Sequence, residues 1–164
     1  MTPDLSILVE YFAGDPAGTN TAYMVIDFEE TGGESYGFGY RYDGSVTAED
    51  LIVAVVAEGA LDWDFGTSGG FGTFINNFFY EGEVGNPSSF WRYEQGVLNL
   101  AGDAVDWTTS GVGISSAVLS DGDFVGWYNS FADSSVKPAL PIPEPASSAV
   151  VLGLAGLMLR RRRG

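Results

Sequence analysis

The stretch Ser35-Tyr-Gly-Phe-Gly-Tyr-Arg-Tyr42 alternates without a break. Side chains of an extended strand point alternately to opposite faces. Tyr36, Phe38, Tyr40 and Tyr42 therefore share one face, and Gly37, Gly39 and Arg41 share the other. Four rings on one side of one strand call for a layer that buries them, because aromatic side chains carry large areas and dominate small β-rich cores. The rest of the chain follows the same style. LSILVEYF (Leu5–Phe12) and AYMVIDFEE (Ala22–Glu30) are two strand-like runs separated by the turn residues GDPAGTNT. Short strand-like pieces also occur at Leu61–Phe65, Gly72–Tyr80, Ser89–Gln95, Val105–Ser115 and Asp123–Ser130, several with a central aromatic.

One segment breaks the pattern. VTAEDLIVAVVAEGA reads as a helix near residues 47–58, with Thr47 and Asp50 at capping-box spacing and Gly59 placed to end it. Its β-branched Ile52, Val53, Val55 and Val56 oppose that reading locally. With 164 residues, 45% hydrophobic and 14% aromatic, the chain can bury a modest core, and its 23 glycines suit short strands joined by turns. The expected fold class is α+β and β-rich: a small mixed or antiparallel sheet with one main helix, followed by a single C-terminal membrane helix. The expected organisation is a β-rich globular domain over 1–131, a polar-to-proline linker over 132–142, and a distinct tail over 143–164.

Charge and residue inventory exclude several function classes. Residues 1–140 hold three basic residues (Arg41, Arg92, Lys137) against twenty-one acidic ones, a net of −18. Such a surface repels phosphate backbones, so no nucleic-acid partner is expected. An acidic surface of this strength attracts divalent cations loosely. The chain has no cysteine and no histidine. That removes disulfides, thiolate and imidazole metal ligands, Cys/His pairs and the Ser-His-Asp triad. No catalytic residue and no metal ligand are assigned, and the chain is read as a non-enzyme. Asp121-Gly122-Asp123 has two of the alternating acids of a calcium loop but no closing glutamate, which favours a turn between strands. Asp62 and Asp64 alternate onto one face with Trp63 on the other, as on a solvated strand face.

The tryptophans Trp63, Trp91, Trp107 and Trp127 fall in separate strand-like pieces, with Tyr93 beside Trp91. Two roles are open to them. They are core residues, or Trp91, Tyr93, Trp107 and Trp127 line a platform for a planar ligand or a sugar.

The tail runs Pro141-Ile-Pro-Glu-Pro-Ala-Ser-Ser-Ala-Val-Val-Leu-Gly-Leu-Ala-Gly-Leu-Met-Leu-Arg-Arg-Arg-Arg-Gly164. Ala146–Leu159 carries no charge and, as a helix, spans about 21 Å, against roughly 30 Å of bilayer hydrocarbon. Past Ser148 it has no polar face. The stems of Arg160, Arg161, Arg162 and Arg163 snorkel and extend the span, and the positive-inside rule keeps them cytoplasmic. Pro143-Glu144-Pro145, a short apolar helix and a terminal arginine block together resemble the PEP-CTERM sorting signal. The resemblance covers about the last 24 residues. It implies export in a Gram-negative bacterium and a transient hold in the inner membrane by residues 146–159. Pro143, Glu144 and Pro145 would then be recognised by an exosortase, a membrane cysteine protease, and Arg160–Arg163 would stop transfer. The protein would be released to the cell surface or to an extracellular polysaccharide matrix. Such proteins carry an amino-terminal signal peptide. MTPDLSILVEYFAG lacks the basic start and apolar core of one, so the expectation is that the true start lies upstream of Met1.

Residues 47–128 also resemble the β-grasp-like C-terminal domain of cobalamin-carrier proteins. The matching pieces are the helix Thr47–Ala57, Gly72-Thr73-Phe74-Ile75, Phe90-Trp91-Arg92-Tyr93 and Leu119-Ser-Asp-Gly-Asp-Phe-Val-Gly-Trp127. Glu94-Gln95-Gly96 stands where that family has an Asn-Gly hairpin. The resemblance implies a β-grasp-like fold and, as its ligand, a corrinoid.

Overall fold

The computed structural model describes residues 5–70, 72–130 and 135–141. The chain forms β1 (Phe12–Gly14), β2 (Asn20–Asp27), β3 (Ser35–Tyr42), α1 (Ala48–Glu58), β4 (Asp62–Ser68) and β5 (Gly72–Tyr80). It continues with β6 (Glu83–Val84), β7 (Arg92–Leu98), β8 (Val105–Thr109) and β9 (Asp123–Tyr128). They build a six-stranded sheet in the order β1-β3-β2-β9-β7-β8 and a three-stranded sheet, β4-β5-β6. The larger sheet is mixed: β2 lies parallel to β9 and β1 parallel to β3, and its other pairs are antiparallel.

Register explains why the alternating strand folds here. Met24 sits opposite Phe38 and Ile26 opposite Tyr36, and on the other side of β2 the same two residues face Val125 and Trp127. Every second residue of these three strands therefore contributes to one apolar front face, and Met24, Ile26, Phe38 and Val125 are fully buried there. Two layers cover that face. Helix α1 buries Ala48, Leu51, Ile52 and Val55 over the β1–β3–β2 half. The small sheet buries Ile75, Phe78 and Tyr80 against the same core. Tyr80 meets Tyr36 and Phe38 edge-on at 4.8 and 5.1 Å between ring centroids.

The helix begins as the sequence predicts. Thr47 Oγ1 accepts the Asp50 amide at 3.3 Å, and Asp50 Oδ2 accepts the Thr47 amide at 2.8 Å. Asp thus closes the capping box in place of the longer Glu. Two further first-turn amides, Ala48 and Glu49, donate to the carbonyls of Ala117 and Ile114, so a loop satisfies what the helix leaves open. Gly59 ends the helix where a Cβ would strike the Tyr11 ring. The β-branched residues cost local propensity, but Ile52 and Val55 are completely buried, and that burial outweighs it.

The amino-terminal expectation needs correction. Leu5–Leu8 is a 3-10 turn, and the strand proper is only Phe12–Gly14, with the Glu10 amide and the Tyr11 carbonyl also bonded to β3. Within the expected linker 132–142, residues 135–141 lie on the back face of the larger sheet, where Pro138 is buried over Gly126 and Leu140 joins Val25 and Phe124. No helix among the described residues is long and apolar enough to cross a membrane. The expected membrane helix 146–159, the Pro143-Glu144-Pro145 signal and Arg160–Arg163 lie outside the described residues.

Phe78, fully buried between the sheets, is the residue whose loss separates them most directly. Phe78→Ala is expected to cost about 3–5 kcal/mol, and Thr47→Ala about 1 kcal/mol through the lost cap. Urea unfolding followed by near-UV circular dichroism measures both.

Candidate functional site

Where the small sheet meets the β7 side of the larger one, the front face opens into a cleft of about 330 Å³. Tyr93 and Trp127 are cross-strand partners on β7 and β9, and their rings stack at 5.1 Å and 22°. Trp91 stands at the entrance to β7, meets Phe78 edge-on at 5.1 Å, and donates its indole N–H to Asn77 Oδ1 at 3.1 Å. Phe74 and Ile75 of β5 and the loop residues Val112 and Ile114 complete the walls. Phe90, 70% exposed, stands at the rim.

The structure thus brings together three of the four residues singled out in the sequence. Trp91 and Trp127 are 7% and 1% exposed, so they back the cleft as core residues and do not form an open platform. Trp107 does not join them. Alternation on β8 sends it to the back face, where it packs over Gly126 and edge-on to Phe124 at 6.4 Å. The exposed aromatic surface of the cleft comes from Phe74 and Phe90, which the sequence offers only within the resemblance motifs and not as site residues.

Two hydroxyls at the cleft already have partners, while the buried Tyr93 hydroxyl has none. Thr73 Oγ1 donates to Glu49 Oε1 at 2.6 Å, and Ser110 Oγ lies 2.9 Å from both Gln95 Oε1 and the Val112 carbonyl. Burial, with the Asp123 charge as a second cause, pushes the Tyr93 phenol far above its ordinary pKa, so it stays neutral. The arrangement offers a mostly apolar, ring-walled hollow, with Arg92, paired to Glu94, the one charged residue of its lining.

The acidic motifs have local structural uses. Asp121 Oδ1 accepts the Thr21 amide and Asp123 Oδ2 the Ser120 amide, both at 2.8 Å, around a Gly122 with φ of 84°. The Asp123 bond is that of a turn, and the Asp121 bond ties the turn to the start of β2. Asp62 and Asp64 are exposed, and Asp62 Oδ1 accepts the Trp63 amide at 2.8 Å. Among the described residues no group of three acidic, histidine or cysteine side chains could hold a metal ion.

A second constellation lies behind the sheet and was missed entirely. Glu94, fully buried, accepts Arg92 Nε at 2.7 Å, Lys137 Nζ at 3.0 Å on both oxygens, and Thr109 Oγ1 at 3.1 Å. Arg92 also donates to the carbonyls of Ser130 and Val136. Asp27, equally buried, accepts the amides of Glu29 at 2.8 Å and Ala139 at 2.7 Å. The available signal was scarcity: Arg92 and Lys137 are two of the three cations in the first 140 residues, and Arg92 and Glu94 share one strand face.

No protein-family model matches the chain, and a search of curated proteins finds no match.

Desolvation raises the Asp27 carboxyl above its ordinary 3.8, against the opposing pull of its two amide donors. A carboxyl whose folded pKa is raised adds stability below the unfolded value and loses it as pH rises through the folded one. The high negative charge acts in the same direction. The urea midpoint is therefore expected to increase as pH falls from 7 toward 4, and Asp27→Asn is expected to reduce that increase.

Proposed function

We propose that the chain is a cell-surface or extracellular-matrix protein of a Gram-negative bacterium, sorted by its tail through the inner membrane and released by an exosortase. The observation that carries this reading is the order of features in the last 24 residues: Pro143-Glu144-Pro145, the uncharged Ala146–Leu159, and Arg160–Arg163. An apolar stretch this short holds a protein in a bilayer only with help from its snorkelling arginines, which suits a transient anchor beside a processing signal. The acidic body supports the same destination, since it has no basic face for nucleic acid or anionic lipid. Replacing Pro143, Glu144 and Pro145 with alanine is expected to leave the protein in the inner-membrane fraction. Normal release of that variant overturns the reading.

A second reading concerns the folded body, and the convergence of Trp91, Tyr93 and Trp127 on one cleft favours it. We infer that this cleft binds a small, neutral, ring-shaped ligand. Its volume lies at the low end for ligand pockets, and with the Thr73 and Ser110 hydroxyls bound, apolar contact is the main attraction, with the unpartnered Tyr93 hydroxyl as one polar anchor. The β-grasp-like fold reading finds support in β9, which returns parallel to β2 and beside it, with α1 across the hairpin β2–β3. A corrinoid is far larger than this hollow and would have to lie across its mouth. Tryptophan fluorescence titrated with a neutral naphthylamine probe, and separately with cobalamin, tests the cleft. The small probe is expected to quench at micromolar concentration, and Phe90→Ala to weaken it about five-fold, equivalent to about 1 kcal/mol. No response to either compound sinks the ligand reading.

A further inference from the structure

Residues Val136–Pro141 form a strap whose end is adjacent in sequence to the tail. Only Ile142 separates Pro141 from Pro143. The strap is fastened at successive points along the back face. The Val136 carbonyl accepts from Arg92, the Lys137 ammonium sits on both Glu94 oxygens at 3.0 Å, and the Ala139 amide donates to Asp27 at 2.7 Å. Between these bonds Pro138 packs over Gly126, and Pro141 reaches Gly37 on β3. Two of the acceptors, Asp27 and Glu94, are carboxylates buried in the sheet. Each depends on the strap for one of its partners, so lifting the strap leaves buried charge less well satisfied.

We propose that this strap is a latch that holds back processing of the tail. The inference rests on the sorting reading above. Enzymes that read an extended peptide engage its backbone N–H and C=O groups and the pockets beside them. Here the Ala139 amide and the Val136 carbonyl are committed to Asp27 and Arg92, and Pro138 is covered. While the strap is docked, residues 136–141 are held by the domain and closed to a processing enzyme. Opening the strap frees them, and the Arg92–Glu94–Lys137 set and the Asp27 bond fix how often that happens.

Two variants loosen the latch by independent means. Lys137→Met removes the ammonium and leaves Arg92 on Glu94, and Ala139→Pro removes the N–H that reaches Asp27. Hydrogen exchange on the full chain in detergent micelles is expected to show amides of residues 136–141 exchanging about ten-fold faster in either variant. Amides of β2 and β9 should keep their protection. In the native host, pulse-chase is expected to show tail removal several-fold faster for both variants, and Lys137→Arg should restore the ordinary rate. A strap opened by exchange with an unchanged maturation rate overturns the latch. So does a strap whose exchange neither variant alters. If the Pro143-Glu144-Pro145 alanine variant matures normally, the sorting reading itself fails and takes the latch with it, an outcome separate from the other two.

Discussion

The indole of Trp127 is the point where the two sheets become one core. It lies on β9, the strand that runs parallel to β2 in the middle of the larger sheet, and Tyr93 stacks on one side of it. Phe78 of the small sheet approaches it edge-on at 5.6 Å. Phe78 also meets Trp91, which in turn meets Phe28 edge-on at 5.3 Å. A continuous run of ring contacts therefore links β9, β5, the start of β7 and the end of β2. Edge-on and offset stacks add to the large area such rings bury, so this small core relies on shape as well as on apolar area. The cleft follows from the same arrangement. It opens where the ring run ends, beyond the last residues that the small sheet covers.

The scarcity of cations shapes the molecule as strongly as the aromatics do. The three basic residues of the first 140 all bind within the domain. Arg41 lies over the Phe12 ring at 4.3 Å, Arg92 holds Glu94 and two carbonyls, and Lys137 holds Glu94 from the strap. The outer surface is left acidic. Repulsion among those acids favours expansion, and the internal ion pairs act against it at Glu94, which with Asp27 is one of two fully buried carboxylates among the described residues. An isolated Glu94 would be costly in that position. Its four donor contacts, from two strands and the strap, make it tolerable.

Much of this was legible in the sequence where a periodic signal existed. The alternation of Ser35–Tyr42 places Tyr36, Phe38, Tyr40 and Tyr42 on the core side, and all but the partly exposed Tyr36 and Tyr40 are buried. Thr47, Asp50 and Gly59 mark the helix ends through chemistry that depends only on neighbouring residues. The parallel pairing of β2 with β9 was not legible, because it joins strands about a hundred residues apart and no local pattern encodes it. The cleft was half legible. Tryptophans in separate strands suggested a shared site, but alternation on β8 had to be combined with sheet order to see that Trp107 faces the other way. Leu5–Phe12 misled because its apolar residues suit a turn packed on the back face as well as a strand.

Residues 135–141, within the stretch expected as a linker, behave differently from their composition for a more instructive reason. Serines and prolines ordinarily signal a solvated spacer, and a proline cannot donate to a sheet ladder. On this sheet those properties are useful. The back face is narrow where Gly37 and Gly126 lack side chains, and Pro138 and Pro141 fit there without needing a hydrogen bond. The bonds that do form come from the residues between and before them, Val136, Lys137 and Ala139. Composition describes such a segment as a spacer, whereas complementarity to glycine on the facing strands makes it part of the fold. The same complementarity sets Pro141 against Gly37 on β3, the strand whose glycine face the strap requires.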